Sequence, residues 1–332
     1  MLIKHLVLCG GGIPIGFVQL GILQTLTKEN FLKYDEINTL YTTSMGGYTG
    51  FMYLLNFEYD WIYDYLVKRP WDKLFKFNSI DFLNIFHTKG LLTEEHIIEI
   101  LKPLFLAAEI DINITLQDFY NINKKEWHLI SCKCNTFEMI DLSYKSHPDL
   151  QVIKALMMSS AAPLFLKPIY YNNDYYIDGA FFSNNPINIC YTNQKCKKDN
   201  IFAIINDKRN CIDNDNKYID NTNIEKLNIN ENTNIINYLL FIIKKIFYNY
   251  ILVELENLIK IKYVINACVE KNTANYDYWM YSFTNIEERE RLVQLGYNSA
   301  NNFINKINKN DEINKNDETD KNIEINNIDK SD

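Results

Sequence analysis

The chain has 332 residues, 47% of them hydrophobic, enough to bury one large core or two small ones. A formal net charge of -8 argues against nucleic acid as the main partner, because phosphate binding requires a basic surface. The seven cysteines have no regular framework, and Cys132-Lys133-Cys134 has no second Cys/His pair at zinc spacing. All seven are therefore expected as reduced thiols of an intracellular protein.

The apolar start is short and runs straight into glycines, without the layout of a signal peptide. Residues 2–8 read as a strand, Gly10-Gly11-Gly12-Ile13-Pro14-Ile15-Gly16 as a loop, and 17–26 as a helix with Phe17, Leu20, Leu23 and Leu26 on one face. Two uses of bare backbone N–H groups at a helix start compete here. A dinucleotide fingerprint needs G-x-G-x-x-G and an acid at the tip of the second strand. The glycine spacing is off by one, and Ser44 stands after the second strand. The other use is an anion hole for acyl transfer, where each donor contributes about 3 kcal/mol.

Residues 37–41 have the β-branched content of a buried strand, and 46–55 read as a helix that opens on glycines. Ser44 lies on the turn between them, the position of a nucleophile elbow. That turn demands small neighbours and a strained serine. Gly46 meets the demand, whereas Thr42 stands where the usual pattern has glycine and is expected to crowd the elbow. A serine N-cap on an ordinary strand-turn-helix is the plainer alternative for this segment alone.

Residues 61–89 are aromatic and irregular, suggesting short helices over the mouth of a site or ordinary core packing. Thr93 caps a predicted helix over 93–105, and 126–130 with 137–142 suggest a strand pair. A helix over 149–159 stops before Pro163. Residues 168–171 and 175–180 form a predicted hairpin around Asn172-Asn173-Asp174, delivering Asp178 beside Gly179. Another buried strand is expected over 201–205. The polar stretch 207–233 has no apolar period and reads as a surface insertion.

The longest helical pattern, 235–265, carries Lys244 and Lys245 mid-run, so a transmembrane span is rejected. It either packs on the core or dips into a membrane surface. Residues 276–283 suggest a late strand and 287–304 a final helix. The low-complexity tail repeats Ile-Asn-Lys-Asn-Asp-Glu and is expected to be disordered.

A glycine loop after the first strand, a serine elbow after the second and an Asp-Gly after a hairpin now stand in one order. With Ser160-Ala161-Ala162-Pro163 and Asn184-Asn185-Pro186-Ile187 flanking the Asp, the chain resembles the patatin-like phospholipases over about residues 4–205. The resemblance implies a three-layer α/β fold with a central, mostly parallel sheet flanked by helices. It implies a patatin-like domain over 1–206; beyond it nothing is matched, and the residue pattern is read as the insertion at 207–233, a helical extension on the same domain at 234–305 and the tail at 306–332. It also implies a metal-independent Ser–Asp dyad of Ser44 and Asp178, an oxyanion loop of Gly10, Gly11 and Gly12, and supporting residues Gly16, Gly46, Gly179 and Ala180.

Under that resemblance no cofactor is expected, and the substrate is a phospholipid or other acyl lipid met peripherally at a membrane surface. The place is then cytosolic or peripherally membrane-associated. The family's basic residue before the next glycine is missing here, where Ile13-Pro14-Ile15 makes the loop one residue longer. Two alternatives remain open: a catalytically weak relative that binds lipid or membrane without efficient turnover, and a nucleotide-binding module on the first β-loop-α unit.

Overall fold

The computed structural model describes residues 2–75, 77, 84–85, 87–207, 209, 231, 233, 235–269 and 276–328. The first half contains β1 (His5–Leu8), α1 (Ile13–Lys28), β2 (Thr39–Thr43), α2 (Met45–Leu55), α3 (Tyr59–Tyr63), α4 (Trp71–Leu74), β3 (Gly90–Leu92) and α5 (Glu94–Ala107). Then come α6 (Leu116–Asn123), β4 (Glu126–Lys133), β5 (Glu138–Leu142), α7 (Val152–Ser160), β6 (Leu164–Leu166), β7 (Ile169–Tyr171) and β8 (Asp174–Asp178). The remainder is α8 (Ile187–Gln194), β9 (Ile201–Ile205), α9 (Ile235–Glu256), β10 (Tyr263–Asn266), α10 (Tyr276–Thr284) and α11 (Ile286–Ile328).

The inner strands are apolar on both faces, as a parallel sheet covered by helices requires. Leu6 and Leu8 of β1 join one hydrophobic cluster and Val7 the other; Leu40 and Tyr41 of β2 divide in the same way. β9 sends Phe202 and Ile204 to the first and Ile201 and Ala203 to the second. Helices α1, α2 and α11 supply the first layer and α8 the second. The strand order is β10-β9-β1-β2-β4-β8-β7, with β5 also paired to β4. Pairings from β10 through β4 are parallel, and β5, β8 and β7 join antiparallel. This is the expected mixed α/β architecture with a central, mostly parallel sheet between helices.

One feature of the register builds the site. β2 pairs with β4 from Glu126 to Ile130, and β8 takes the same edge from Ser131 to Lys133, because β5 occupies the other edge. β2 and β8 therefore run toward each other and stop at adjoining positions. Thr43 lies opposite Ile130 and Asp178 opposite Ser131. Residue 44 and residue 178 must meet there.

Beyond β9 the structure departs from the sequence reading. The predicted helix over 235–265 stops at Glu256, where the Asn257 side chain donates to the Val253 carbonyl at 2.7 Å. The chain then forms β10, parallel to β9, using the β-branched pair Val264-Ile265. Residues 276–283, expected as a strand, lie in α10, with Tyr278 and Ser282 buried four residues apart on one helix face. α11 continues to Ile328 through the tail expected to be disordered, and no Gly or Pro follows Gly296 to break the helix. α11 lies on α1 with backbones touching: a Cβ on Gly21 would stand 2.2 Å from the Val293 carbonyl, and one on Gly296 2.2 Å from that of Val18.

Two short strands escaped the sequence reading: β3 and β6 form a small parallel pair. Cys268 is disulfide-bonded, against the expectation of seven reduced thiols, while Cys9, Cys132, Cys134, Cys190 and Cys196 are free. In the aromatic stretch, Trp71 and Phe75 are core residues, with Trp71 stacked 4.8 Å from Phe283. Residues 76, 78–83 and 86 of that stretch lie outside the described residues, as does nearly all of the predicted insertion at 207–233.

Candidate active site

The turn from β2 into α2 holds Ser44 at φ 52°, ψ −122°, a conformation that L residues adopt only under constraint. The constraint is visible around it. Its N–H donates to Ser159 Oγ at 3.1 Å, and that hydroxyl donates to the Ile130 carbonyl at 2.6 Å. Gly46 sits against β1, where a Cβ would come 2.4 Å from the Leu8 carbonyl oxygen. Only glycine fits there.

Thr42 does not crowd the elbow. Its side chain points to the α2 layer, where Gly50 leaves room for its methyl group. Its hydroxyl donates to the His128 carbonyl at 3.0 Å and accepts from Trp127 Nε1 at 3.0 Å. The larger residue is absorbed one helical turn beyond the elbow.

Asp178 closes β8 with its carboxylate on Ser44: Oγ donates to Oδ2 at 2.7 Å. The other oxygen, Oδ1, accepts the Ala180 N–H at 2.9 Å. Gly179 passes so close to β4 that a Cβ would lie 2.1 Å from the Ile130 carbonyl oxygen. Asp178 is 4% exposed. Burial pushes its carboxyl up to about 6, against the opposing pull of the Ala180 N–H and the Ser44 hydroxyl. Such a carboxylate is a stronger base than an exposed aspartate and still ionised near neutral pH.

The glycine loop follows β1 at the same edge of the sheet. A Cβ on Gly10 would be 3.1 Å from Ser44 Cβ, so the loop lies beside the elbow. The N–H of Gly10 is already used, donating to the Asn184 carbonyl at 3.0 Å. Of the three glycines expected as donors, Gly11 and Gly12 have amides with no partner among the described residues. Both have positive φ, 147° and 76°. The indole of Trp279 lies against Gly12, within 2.3 Å of where a Cβ would stand. Gly16 leaves space for the Met45 side chain. Gly16, read from sequence as part of the loop, lies in the first turn of α1, which starts at Ile13 rather than 17, so it is α1 that packs against the first residue of α2.

Ser159, Asn206 and Glu254 were not singled out from sequence, and the Asn184-Asn185 segment was quoted only as a flank of the Asp. Ser159 had a faint signal, a serine pair closing an apolar helix. Ser183, Asn184 and Asn185 form a turn whose carbonyls hold Gly10 N–H and, at 2.7 Å, the Thr43 hydroxyl. Glu254 binds that turn from α9, and Asn206 donates from its side chain to the Gly10 carbonyl at 3.3 Å. An acid within the apolar run at 251–255 was the one available clue to Glu254. No histidine bonds Ser44 or Asp178 among the described residues; buried His128 is held between Asp141 and Glu126. No group of three His, Cys, Asp or Glu is placed to hold a metal among the described residues.

A covered, mostly parallel sheet with a serine elbow and a carboxylate meeting at its carboxyl edge defines the patatin-like class of α/β proteins. The chain belongs to the patatin-like phospholipase family, whose domain pattern matches residues 6–191. It is 30% identical over 211 residues to the probable lipid hydrolase 463L of Invertebrate iridescent virus 6, covering 60% of this chain and 68% of that one. It is 22% identical over 187 residues to the uncharacterized protein R571 of Acanthamoeba polyphaga mimivirus, covering 56% and 61% respectively. The crystal structure of VipD from Legionella pneumophila shares the fold, with a TM-score of 0.54 and 14% identity over 92% of this chain and 67% of VipD.

Proposed function

We propose that this protein is a metal-independent lipid acyl hydrolase of phospholipase A type, working through a Ser44–Asp178 dyad. The observation that carries the reading is the 2.7 Å hydrogen bond from the strained Ser44 hydroxyl to a buried carboxylate. A serine hydroxyl attacks an ester only if a base takes its proton as the bond forms. Asp178 is that base. The C–O bond from Ser44 forms, the carbonyl becomes an oxyanion, and the Gly11 and Gly12 amides hold it, each contributing about 3 kcal/mol. Protonated Asp178 then gives its proton to the departing alcohol oxygen. Water, deprotonated by Asp178, cleaves the acyl-Ser44 ester and releases the fatty acid.

The substrate class follows from the family and from one exposed surface. On α9, Leu239, Ile242, Ile246, Tyr250 and Val253 recur at spacings of three and four and are 36–58% exposed. No helix among the described residues is long and apolar enough to cross a membrane. An apolar helix face of this kind suits the interface of a bilayer, where the ester substrates reside.

The test is product analysis on phosphatidylcholine vesicles, with EDTA present. Wild type should release fatty acid and lysophospholipid, whereas Ser44→Ala and Asp178→Asn should release neither above background. Turnover that survives Ser44→Ala, or that disappears with EDTA, would overturn the reading.

A further inference from the structure

We propose that Glu254 is a positioning residue for the glycine loop and the elbow, acting from α9 through the Ser183–Asn184–Asn185 turn. The inference rests on the proposed Ser44–Asp178 chemistry for its kinetic consequence, though its structural part stands by itself.

Glu254 is a partly buried acid near the end of an otherwise apolar stretch of helix, and its two oxygens are saturated with donors. Oε1 accepts from Ser183 Oγ at 2.7 Å and Asn185 N at 2.9 Å. Oε2 accepts from Asn184 N at 3.0 Å and Asn185 Nδ2 at 3.2 Å. Two of these donors are backbone amides, so the carboxylate fixes the main chain of the turn. Burial pushes the Glu254 carboxyl up, and the Ser183, Asn185 and Asn184 donors pull it back.

The turn passes its position to both halves of the site. The Asn184 carbonyl accepts the Gly10 N–H at 3.0 Å, which sets the start of the glycine loop. The Ser183 carbonyl accepts the Thr43 hydroxyl at 2.7 Å, on the residue immediately before Ser44. Asn185 Oδ1 accepts the Asn206 N–H at 2.9 Å, and Asn206 reaches the Gly10 carbonyl. Gly10, Gly11 and Gly12 have no side chains to anchor them. Their placement relative to Ser44 therefore depends on hydrogen bonds to the backbone, and Glu254 organises the turn that supplies them. The acid lies on the helix that carries the exposed apolar stripe, so the surface face of α9 and the glycine loop belong to one hydrogen-bonded unit.

The experiment compares wild type, Glu254→Gln, Ser183→Ala and the control Glu256→Gln. It reads amide hydrogen exchange at Gly10 together with steady-state hydrolysis of a short-chain ester. Glu254→Gln replaces one acceptor oxygen with an NH2 that opposes two donors. Exchange at Gly10 should accelerate at least tenfold, and kcat should fall on the order of 10- to 100-fold with KM within about twofold, since a small misplacement of donors weakens transition-state contacts selectively. Ser183→Ala removes a single bond and should move both readouts the same way by a smaller factor. It decides the question if Glu254→Gln does not fold. Glu256→Gln should leave both unchanged. Unchanged Gly10 exchange in a folded Glu254→Gln, or a rise in KM alone, would overturn the proposal. If wild type itself shows no Ser44-dependent hydrolysis, the function reading fails, and the exchange comparison still decides whether Glu254 holds the loop.

Discussion

Replacing Asp178 with asparagine should make the fold more stable and the protein inactive, and the stability gain should depend on pH. The carboxyl rises from an ordinary 3.8 to about 6 because it is buried, so the folded chain holds a proton more tightly there than the unfolded chain does. Below the unfolded value both states are protonated and burial carries no penalty. Between the two values the folded state loses stability as pH rises, and above about 6 the full difference applies. About two pK units correspond to a penalty of about 3 kcal/mol for the charged form. Asparagine keeps an acceptor for the Ala180 N–H and carries no charge, so it escapes that penalty. Urea unfolding at about pH 8 should show Asp178→Asn more stable than wild type by up to about 3 kcal/mol, with the gain vanishing near pH 4. In wild type, kcat/KM for ester hydrolysis should climb through the same window as the base ionises. A gain equal at both pH values, or a variant less stable than wild type at the higher one, would refute a carboxylate whose burial outweighs its Ala180 and Ser44 donors.

Three further outcomes follow from the geometry. Gly46→Ala puts a methyl group 2.4 Å from the Leu8 carbonyl oxygen, so it should lower stability by about 1–3 kcal/mol and abolish turnover in whatever remains folded; thermal melting and a single-turnover assay read the two effects. Thr42→Gly leaves the Trp127 indole N–H without its acceptor and should lower stability by about 1–3 kcal/mol. Its turnover per folded molecule should stay near wild type, because Thr42 faces the α2 layer; a rise in turnover would mean that the threonine does crowd the elbow. Paired Ile242→Asp and Ile246→Asp changes on the exposed face of α9 should weaken sedimentation with phospholipid vesicles by at least tenfold while leaving hydrolysis of a soluble ester intact.

The segments legible in the sequence were those whose constraint is local. The strand before Ser44 is marked by β-branched residues, the elbow by Gly46 and the β8 hairpin by its Asn-Asn-Asp turn; all three exist, with the first strand two residues later than expected, at Thr39–Thr43, and β8 ending at Asp178 rather than 180. That Ser44 and Asp178 approach within hydrogen-bond distance was implied by the resemblance to the patatin-like family. Its cause, two strands converging on one edge of β4, is a long-range register that no local pattern carries. That the Gly10 N–H is engaged was not legible for the same reason: the Asn184 carbonyl that accepts it lies 174 positions away in sequence. In the C-terminal third, the aromatic alternation of 276–283 imitates a strand, while burial of Tyr278 and Ser282 against the core selects a helix. β10 was hidden because its apolar residues follow the α9 pattern through Leu258, Ile259 and Ile261, with only Asn257, Lys260 and Lys262 interrupting.

The most direct test of a nucleophile at position 44 is covalent. After reaction with an alkyl fluorophosphonate, intact-mass analysis should find one adduct per chain, and peptide mapping should place it on Ser44. Ser44→Ala should remain unlabelled, and the wild-type rate should fall as pH drops below about 6. An adduct on another residue, or hydrolysis that continues after Ser44 is fully modified, would contradict the dyad.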